Sequence, residues 1–407
     1  MSANKKFIRD SIHGNLPLNQ FELEVLDYPQ VQRLRRVKQL GFIYLIYPGA
    51  NHSRFEHSIG TMHLASKLAD QLELSEDDKD LVRIAGLLHD AGHGPFSHVS
   101  EAVFDVPHEE LTGYVVKKTS LADKLSEKFN TNEIIDIING KGKLGPIISG
   151  ELDMDRMDYL IRDSHYTGVA YGVIDTERII SNLKLERELI LDIKGVQAAE
   201  AALVARYLMY PSVYQHHTTR IVNAMFRRCL RHMIHQDILN PKEMYKYDDA
   251  DMISMCRSSE GFSRDIMERI DNRRLLKVAK SIQVNRFENP EKIFKIEKKE
   301  LEKAEEEISQ DFNIDRNYLI INLPEYPSFD EMKTWVSLGE QLYHLNEISS
   351  IVGALSSARF NSPDICLYVP KEDLEKTKRI KLENYLDLPE IDREKFHGIH
   401  YDQIKLF

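Results

Sequence analysis

A mainly α-helical protein, a helical bundle with a small β-hairpin insertion followed by a C-terminal mixed α/β lobe, is the fold class this sequence predicts. Three observations predict it. Apolar residues recur at helical spacing through most of the first 240 residues, and a short alternating run interrupts them at Leu189-Ile-Leu-Asp-Ile193. Beyond Pro241 charged helical stretches alternate with β-like runs. The chain therefore reads as a helical body over residues 1–240 and a lobe over 241–407 suited to packing and oligomerisation.

Ile59, Met62, Leu64, Leu68 and Leu72 place a helix over 57–72, and Leu81, Ile84, Leu87 and Leu88 place another over 78–90. Further periodic segments cover 108–119, 131–139, 151–165, 175–184, 195–210 and 220–238, with Gly140, Gly142, Gly145, Pro146 and Gly150 breaking the middle. The 189–193 run reads as one arm of a hairpin, followed by Gly195, and as a minor decoration. In the second half, helical patterns fall at 248–270 and 291–309 and β-like runs at 276–284, 317–323 and 365–369. The mixed-sign run from Glu297 to Glu307 reads as a solvated helix face.

At 407 residues the chain has room for a large core and two or three lobes. A net charge of −11 argues against a dedicated nucleic-acid binder, whose affinity for phosphates needs clustered Lys and Arg. A local basic pocket for a small anion remains compatible with it. Cys229, Cys256 and Cys366 are odd in number and far apart, so they indicate neither a disulfide framework nor a CxxC metal site and fit a reducing cytoplasm. The N-terminus has no apolar signal core, and no apolar run approaches the ~20 residues that span a bilayer. A soluble cytoplasmic protein with no membrane partner is expected.

The densest chemistry lies between Arg83 and His98. His89 and Asp90 stand at the polar end of an apolar helical run, where Gly92, Gly94 and Pro95 end the helix and let backbone approach a ligand. His57, in Arg54-Phe-Glu-His-Ser58, and Asp155, in the stretch Leu152 to Asp163, add one more imidazole and one more carboxylate. Each alone is more often a helix cap or an ion-pair partner. Together, two imidazoles and two carboxylates suit one divalent ion per subunit, whether Mn, Fe, Zn, Ni or Mg, with positions open to water and substrate. Arg54, one helical turn before His57, is a donor for phosphate oxygens, and Arg156 and Arg206 are further candidates. His93, His98 and His108 are the remaining polar candidates near the metal, because imidazole titrates near neutral pH and can move a proton.

Six ordered blocks extend this constellation: Asp10-Ser-Ile-His-Gly14, Gln32 to Gly41, Tyr47 to Ser58, His89 to His98, Asp155 to Asp163 and Tyr214-Gln-His216. Through them, from about Phe7 to Asn223, the sequence resembles the HD-domain phosphohydrolases, and within them the deoxynucleoside triphosphate triphosphohydrolase branch. The resemblance implies that residues 1–240 form an HD-type metal-dependent phosphohydrolase domain. In its reaction water attacks the α-phosphorus of a dNTP and releases deoxynucleoside and triphosphate. The resemblance makes His98 the general acid, with His108 and Glu109 in support and His93 at or just behind the metal. It places Gln39 and Asp163 at the sugar 3′-hydroxyl, Leu40 and Tyr214 against the sugar, Tyr159 on phosphate, and Gln215 and His216 at the pocket border. A second Mg would accompany the nucleotide.

In activated members of this branch a guanine nucleotide, GTP or dGTP, binds at a subunit interface through an acidic residue, a glutamine and an arginine. The matching positions are Asp27, Gln32 and Arg35, and an Asp can accept from the N1 and N2 donors of guanine. Arg9 and His217 depart from the asparagine and lysine that face effector nucleotides there. The resemblance also implies a homo-oligomer, a tetramer built from dimers. Two other readings stay open. One is an HD phosphohydrolase acting on another phosphate ester, namely a nucleoside monophosphate, a cyclic nucleotide or a guanosine alarmone. The other is a non-catalytic regulator that senses nucleotides or binds nucleic acid.

Overall fold

The computed structural model describes residues 6–104, 106–326, 333–358 and 363–388. They fall into two compact units, the described residues up to 268 with those of 333–354, and the described residues of 269–326 with those of 355–388.

The first unit is the helical body. Its central helix, Arg54–Gln71, opens with a capping box in which Ser53 accepts from the Glu56 amide and Glu56 reaches back to the Ser53 amide. Buried residues ring much of this helix, from Phe55 and Ile59 to Leu64 and Leu68, because other elements cover it on several sides. It packs against Glu76–Leu88 and Met154–Thr167. Ser75 caps Glu76–Leu88, whose first turn carries Glu76, Asp77 and Asp78 where the helix dipole favours negative charge. Asp153 caps Met154–Thr167, which ends on Gly168 in the left-handed conformation. Around these three lie Gln20–Leu26, Pro29–Arg33, His98–Phe104, His108–Lys118, Thr131–Ile138, Thr176–Ser181, Val196–Met209 and His217–His235. The mainly α fold class holds, and the periodic segments correspond to these helices.

The strands depart from the sequence expectations. An antiparallel hairpin, Lys6–Asp10 with Gly14–Leu18, opens the described chain. Five-residue strands, the second interrupted by Pro17, give too short an alternation to stand out. The hairpin arm at 189–193 is more than a decoration. Leu189–Asp192 pairs antiparallel with Leu183–Leu185 and parallel with Trp335–Leu338, which in turn pairs with Gln341–His344 in a four-stranded sheet.

The second unit holds a three-stranded antiparallel sheet with Asp364–Val369 between Lys277–Gln283 and Ile320–Asn322. The central strand is almost wholly buried, as an apolar run flanked on both sides requires. Its core gathers Val284, Phe287, Ile293, Ala304, Ile308, Ile365 and Leu367. Two helical expectations need correction. The stretch 248–270 is two helices, Asp249–Ser258 and Phe262–Asp271, separated where Gly261 takes a positive φ. The 291–309 stretch becomes α-helical only from Lys298, because Pro290–Lys295 forms a 3₁₀ turn. Nor is the Glu297–Glu307 run entirely solvated: Glu305 is buried, pairs with Arg316 at 2.6 Å and accepts from the Ile321 amide at 2.8 Å.

Candidate metal centre and active site

Three helix ends bring the predicted ligands together. His57 lies in the first turns of Arg54–Gln71, His89 and Asp90 directly follow Glu76–Leu88, and Asp155 lies in the first turn of Met154–Thr167. His57 Nε2 is 2.8 Å from Asp155 Oδ1, 3.2 Å from His89 Nε2 and 3.6 Å from Asp90 Oδ2. His89 Nε2 is 3.4 Å from Asp90 Oδ1 and 3.5 Å from Asp155 Oδ1. Ligands bonded to one ion at about 2.1 Å stand about 3.0–3.4 Å from each other, so this is the spacing of donors around a single cation. A buried carboxylate, Asp90, and a partly buried one, Asp155, beside two imidazoles also form a site whose negative charge a dication offsets. The donor set fits a divalent metal.

Each imidazole is turned toward this point by its other nitrogen. His57 Nδ1 donates to Asp158 Oδ2 at 2.8 Å and His89 Nδ1 donates to the Gly86 carbonyl at 2.8 Å, leaving both Nε2 lone pairs to face the ligand set. Asp158 is fully buried and also takes His13 Nε2 at 2.6 Å and Arg162 Nε and Nη2 at 2.8 and 2.9 Å. Arg162 continues to Asp10 at 2.8 Å, and Asp10 holds the Ile12 and His13 amides. Burial pushes the Asp158 carboxyl up, but the Arg162 charge and the His13 and His57 hydrogen bonds outweigh it and hold the group well below its ordinary value. The sequence did not single out Asp158, His13, Arg162 or Asp10 individually. Their one local signal is the Asp158/Arg162 pair at i, i+4.

Beside the metal site, His93, His98, Glu101 and His108 form a second cluster. Glu101 accepts from His98 Nδ1 at 2.9 Å with one oxygen, and from His108 Nδ1 and its amide at 2.9 Å with the other. The His93 ring stacks on His108 at 3.8 Å and meets His98 edge-on at 4.9 Å. His93 is 1% exposed with Nε2 3.3 Å from Asp90, whereas the His98 side chain is 66% exposed. Burial raises Glu101, yet its hydrogen bonds from His108 and His98 hold it far below the usual carboxylate range. Burial, with Arg54 and His108 nearby, keeps His93 neutral, and the Glu101 hydrogen bond lifts His108 against its own burial. Glu109, half-exposed, is 3.5 Å from His108 Nδ1. Glu101 was missed because nothing in its sequence neighbourhood announces that it bridges two imidazoles.

The residues expected at the sugar converge on a histidine that sequence reasoning also missed. Asp163 takes the Tyr214 hydroxyl at 2.8 Å and His52 Nε2 at 2.9 Å, while the Gln39 amide donates to the His52 carbonyl at 3.1 Å. Leu40 and Tyr214 pack on one apolar cluster with Ile43, Ala50, Met209 and Val213.

The phosphate candidates divide. Arg54 is 3% exposed and already committed, Nη1 to Asp90 at 2.5 Å and Nε to Ser97 Oγ at 2.8 Å. Arg156 and Arg206 line one small cavity with Leu160 and Leu203. The Tyr159 ring lies 6.5 Å from His57; burial raises its hydroxyl pKa, and the Arg206 and Arg156 charges oppose that rise. The Gln215 amide closes onto Tyr210, and His216 Nδ1 caps the helix His217–His235 by accepting from Thr218.

At the predicted effector position, Gln32 Nε2 donates to the Leu26 carbonyl and its Oε1 accepts from Arg35 Nε at 3.0 Å, with Arg35 over the Phe55 ring. Asp27 is exposed at the end of Gln20–Leu26. Arg9 is occupied by Asn15. No helix among the described residues is long and apolar enough to cross a membrane.

These features define a phosphohydrolase centre of the HD type, and the chain belongs to the HD-domain phosphohydrolase superfamily, in its dNTPase-like branch. The HD domain pattern matches residues 54–163, and the HD associated region matches residues 174–397. An uncharacterized protein of Methanocaldococcus jannaschii is 38% identical over 399 residues, covering 95% of this chain and 84% of that protein. The deoxynucleoside triphosphate triphosphohydrolase SAMHD1 homolog of Dictyostelium discoideum is 31% identical over 316 residues, 69% of this chain and 61% of that protein. A crystal structure of a hypothetical protein from Aquifex aeolicus superimposes with a TM-score of 0.76 at 31% identity, covering 92% of this chain and 99% of that one. Membership supports hydrolase activity with a divalent metal.

Proposed function

We propose that the protein is a dNTP triphosphohydrolase. The observation that carries this reading is at the sugar end of the site. Gln39 Oε1 is buried without a hydrogen-bond partner among the described residues, and Gln39 is joined through His52 to the Asp163–Tyr214 pair. A buried acceptor left unmade costs about 1–3 kcal/mol, and a 3′-hydroxyl is a donor that would remove the cost. Leu40 and Tyr214 supply a wall against which a 2′-hydroxyl would lose its water.

His57, His89, Asp90 and Asp155 would hold a divalent ion, which when bound would supply Lewis acidity toward water and a phosphoryl oxygen. Water attacks the α-phosphorus, the bond to the 5′-oxygen breaks, and deoxynucleoside and triphosphate leave. His98 delivers the proton to the departing 5′-oxygen; Glu101 orients it, and His93, His108 and Glu109 set the field around it. Arg156, Arg206 and Tyr159 take phosphate oxygens, a second Mg would accompany the triphosphate, and Arg54 acts by holding Asp90. Gln215 and His216 border the pocket. A guanine nucleotide at Asp27, Gln32 and Arg35 activates a homotetramer.

The test is to incubate the metal-loaded protein with each dNTP, with and without GTP or dGTP, and to separate the products by chromatography. Triphosphate is expected. Release of orthophosphate or pyrophosphate instead would move the assignment to another phosphate ester, and guanine-nucleotide stimulation that survives Asp27→Ala would remove the effector site.

A further inference from the structure

The loop between Asp90 and His98 has a backbone its own residues disfavour. Phe96 and Ser97 are consecutive non-glycine residues with φ of 57° and 55°, in the left-handed region where Cβ crowds the following carbonyl oxygen. Such geometry persists only where neighbours over-determine it.

Two buried charges from outside the site supply that constraint. Arg33, at the end of Pro29–Arg33 and 4% exposed, donates from Nη2 to the Ala91 and His93 carbonyls at 3.1 and 2.6 Å, and from Nη1 to the Tyr247 carbonyl at 2.6 Å. Asp249, the first residue of Asp249–Ser258 and 5% exposed, accepts the Phe96 amide at 2.7 Å on one oxygen and the Lys38 amide at 3.0 Å on the other. Ser97 closes the arrangement: its hydroxyl donates to the Lys38 carbonyl at 2.9 Å and accepts from Arg54 Nε at 2.8 Å. Arg54 leads back to Asp90. Neither Arg33 nor Asp249 belongs to the metal set, the histidine cluster or the sugar pocket.

We infer that Arg33 and Asp249 are positioning residues that hold the Ala91–Ser97 backbone, and with it His93 and His98, in register with the metal centre. The chemistry suits the task. The planar guanidinium fork reaches two carbonyls two residues apart, and a carboxylate takes two amides at once. The activity arm of the following test rests on the triphosphohydrolase reading, whereas its exchange and metal arms do not.

Asp249→Asn and Arg33→Lys are compared with wild type as full-length, manganese-loaded proteins. These conservative changes avoid leaving a buried charge wholly uncompensated. Amide hydrogen exchange, bound manganese, and kcat and KM for a dNTP turned over by wild type are measured. In both variants exchange at residues 91–99 is expected to rise roughly tenfold while the helix His217–His235 keeps its protection. Manganese stoichiometry should hold, and kcat should fall roughly 10- to 100-fold with KM within about twofold. Exchange that rises evenly through the helical body would make the pair a folding element only and overturn the inference. So would unchanged exchange at 91–99, or a loosened loop with kcat intact. If wild type turns over no dNTP, the triphosphohydrolase reading fails, and exchange at 91–99 with manganese retention decides the positioning role alone.

Discussion

At the residue scale, the metal centre is defined as much by what stands behind the imidazoles as by the ligands themselves. Asp158 decides which nitrogen of His57 carries the proton. Asp158→Asn is expected to weaken metal binding about 10- to 100-fold, read by calorimetric titration, because the amide no longer offers two anionic acceptors to His57, His13 and Arg162. Retained affinity would mean that helix geometry alone orients the ring. His89→Ala with Asp90→Ala should abolish metal retention and turnover together, and turnover by a metal-free preparation would sink the metal mechanism. Asp249 offers a pH test. Burial pushes its carboxyl up to about 6 from an ordinary 3.8. Between those values the folded chain keeps a proton that the unfolded chain releases, so stability falls as pH rises through the window. Asp249→Asn does not titrate; its Tm relative to wild type should therefore climb from pH 4 to pH 7. A constant difference would contradict the shift.

At the element scale, helix contacts decide which residues reach the site. Gly60 lets Met154–Thr167 lie against Arg54–Gln71: a Cβ there would stand 2.0 Å from Asp158 Oδ1 and 2.4 Å from Arg162 Nη2. Gly60→Ala is expected to cost about 1–3 kcal/mol in denaturant unfolding and to weaken metal binding in parallel, since it displaces the group that orients His57. Stability lost with metal affinity intact would separate the two roles. The helices were legible because the apolar period is reinforced by caps such as Ser53, Ser75 and Asp153. The short strands Lys6–Asp10 and Trp335–Leu338 were not, because four or five residues carry little alternation and their pairing is settled by partners elsewhere in the chain. The candidate ligand set was legible for a different reason: His57, His89, Asp90 and Asp155 suggest their chemistry by residue type, and His89 and Asp90 stand beside a glycine turn. Glu101, His52 and Asp158 act through what they touch, and no local pattern encodes that.

At the scale of the whole molecule, the first unit is discontinuous in sequence. The chain leaves it after Glu268 and returns to it with Trp335–Leu338, which lies beside Leu189–Asp192. A chain ending at residue 268 is therefore expected to expose Leu189–Asp192 as an unpaired edge and to self-associate, visible as added mass by light scattering. A monodisperse fragment with the helical signal of the parent would show the edge to be dispensable. The same parallel pairing sets a clock on birth at the ribosome. Trp335 is made about 140 residues after Asp192, so at roughly 5–20 residues per second the nascent sheet waits about 7–29 s for its last inner strand. Slow codons between those points would lengthen the interval in which a chaperone, or another nascent chain, can take that place.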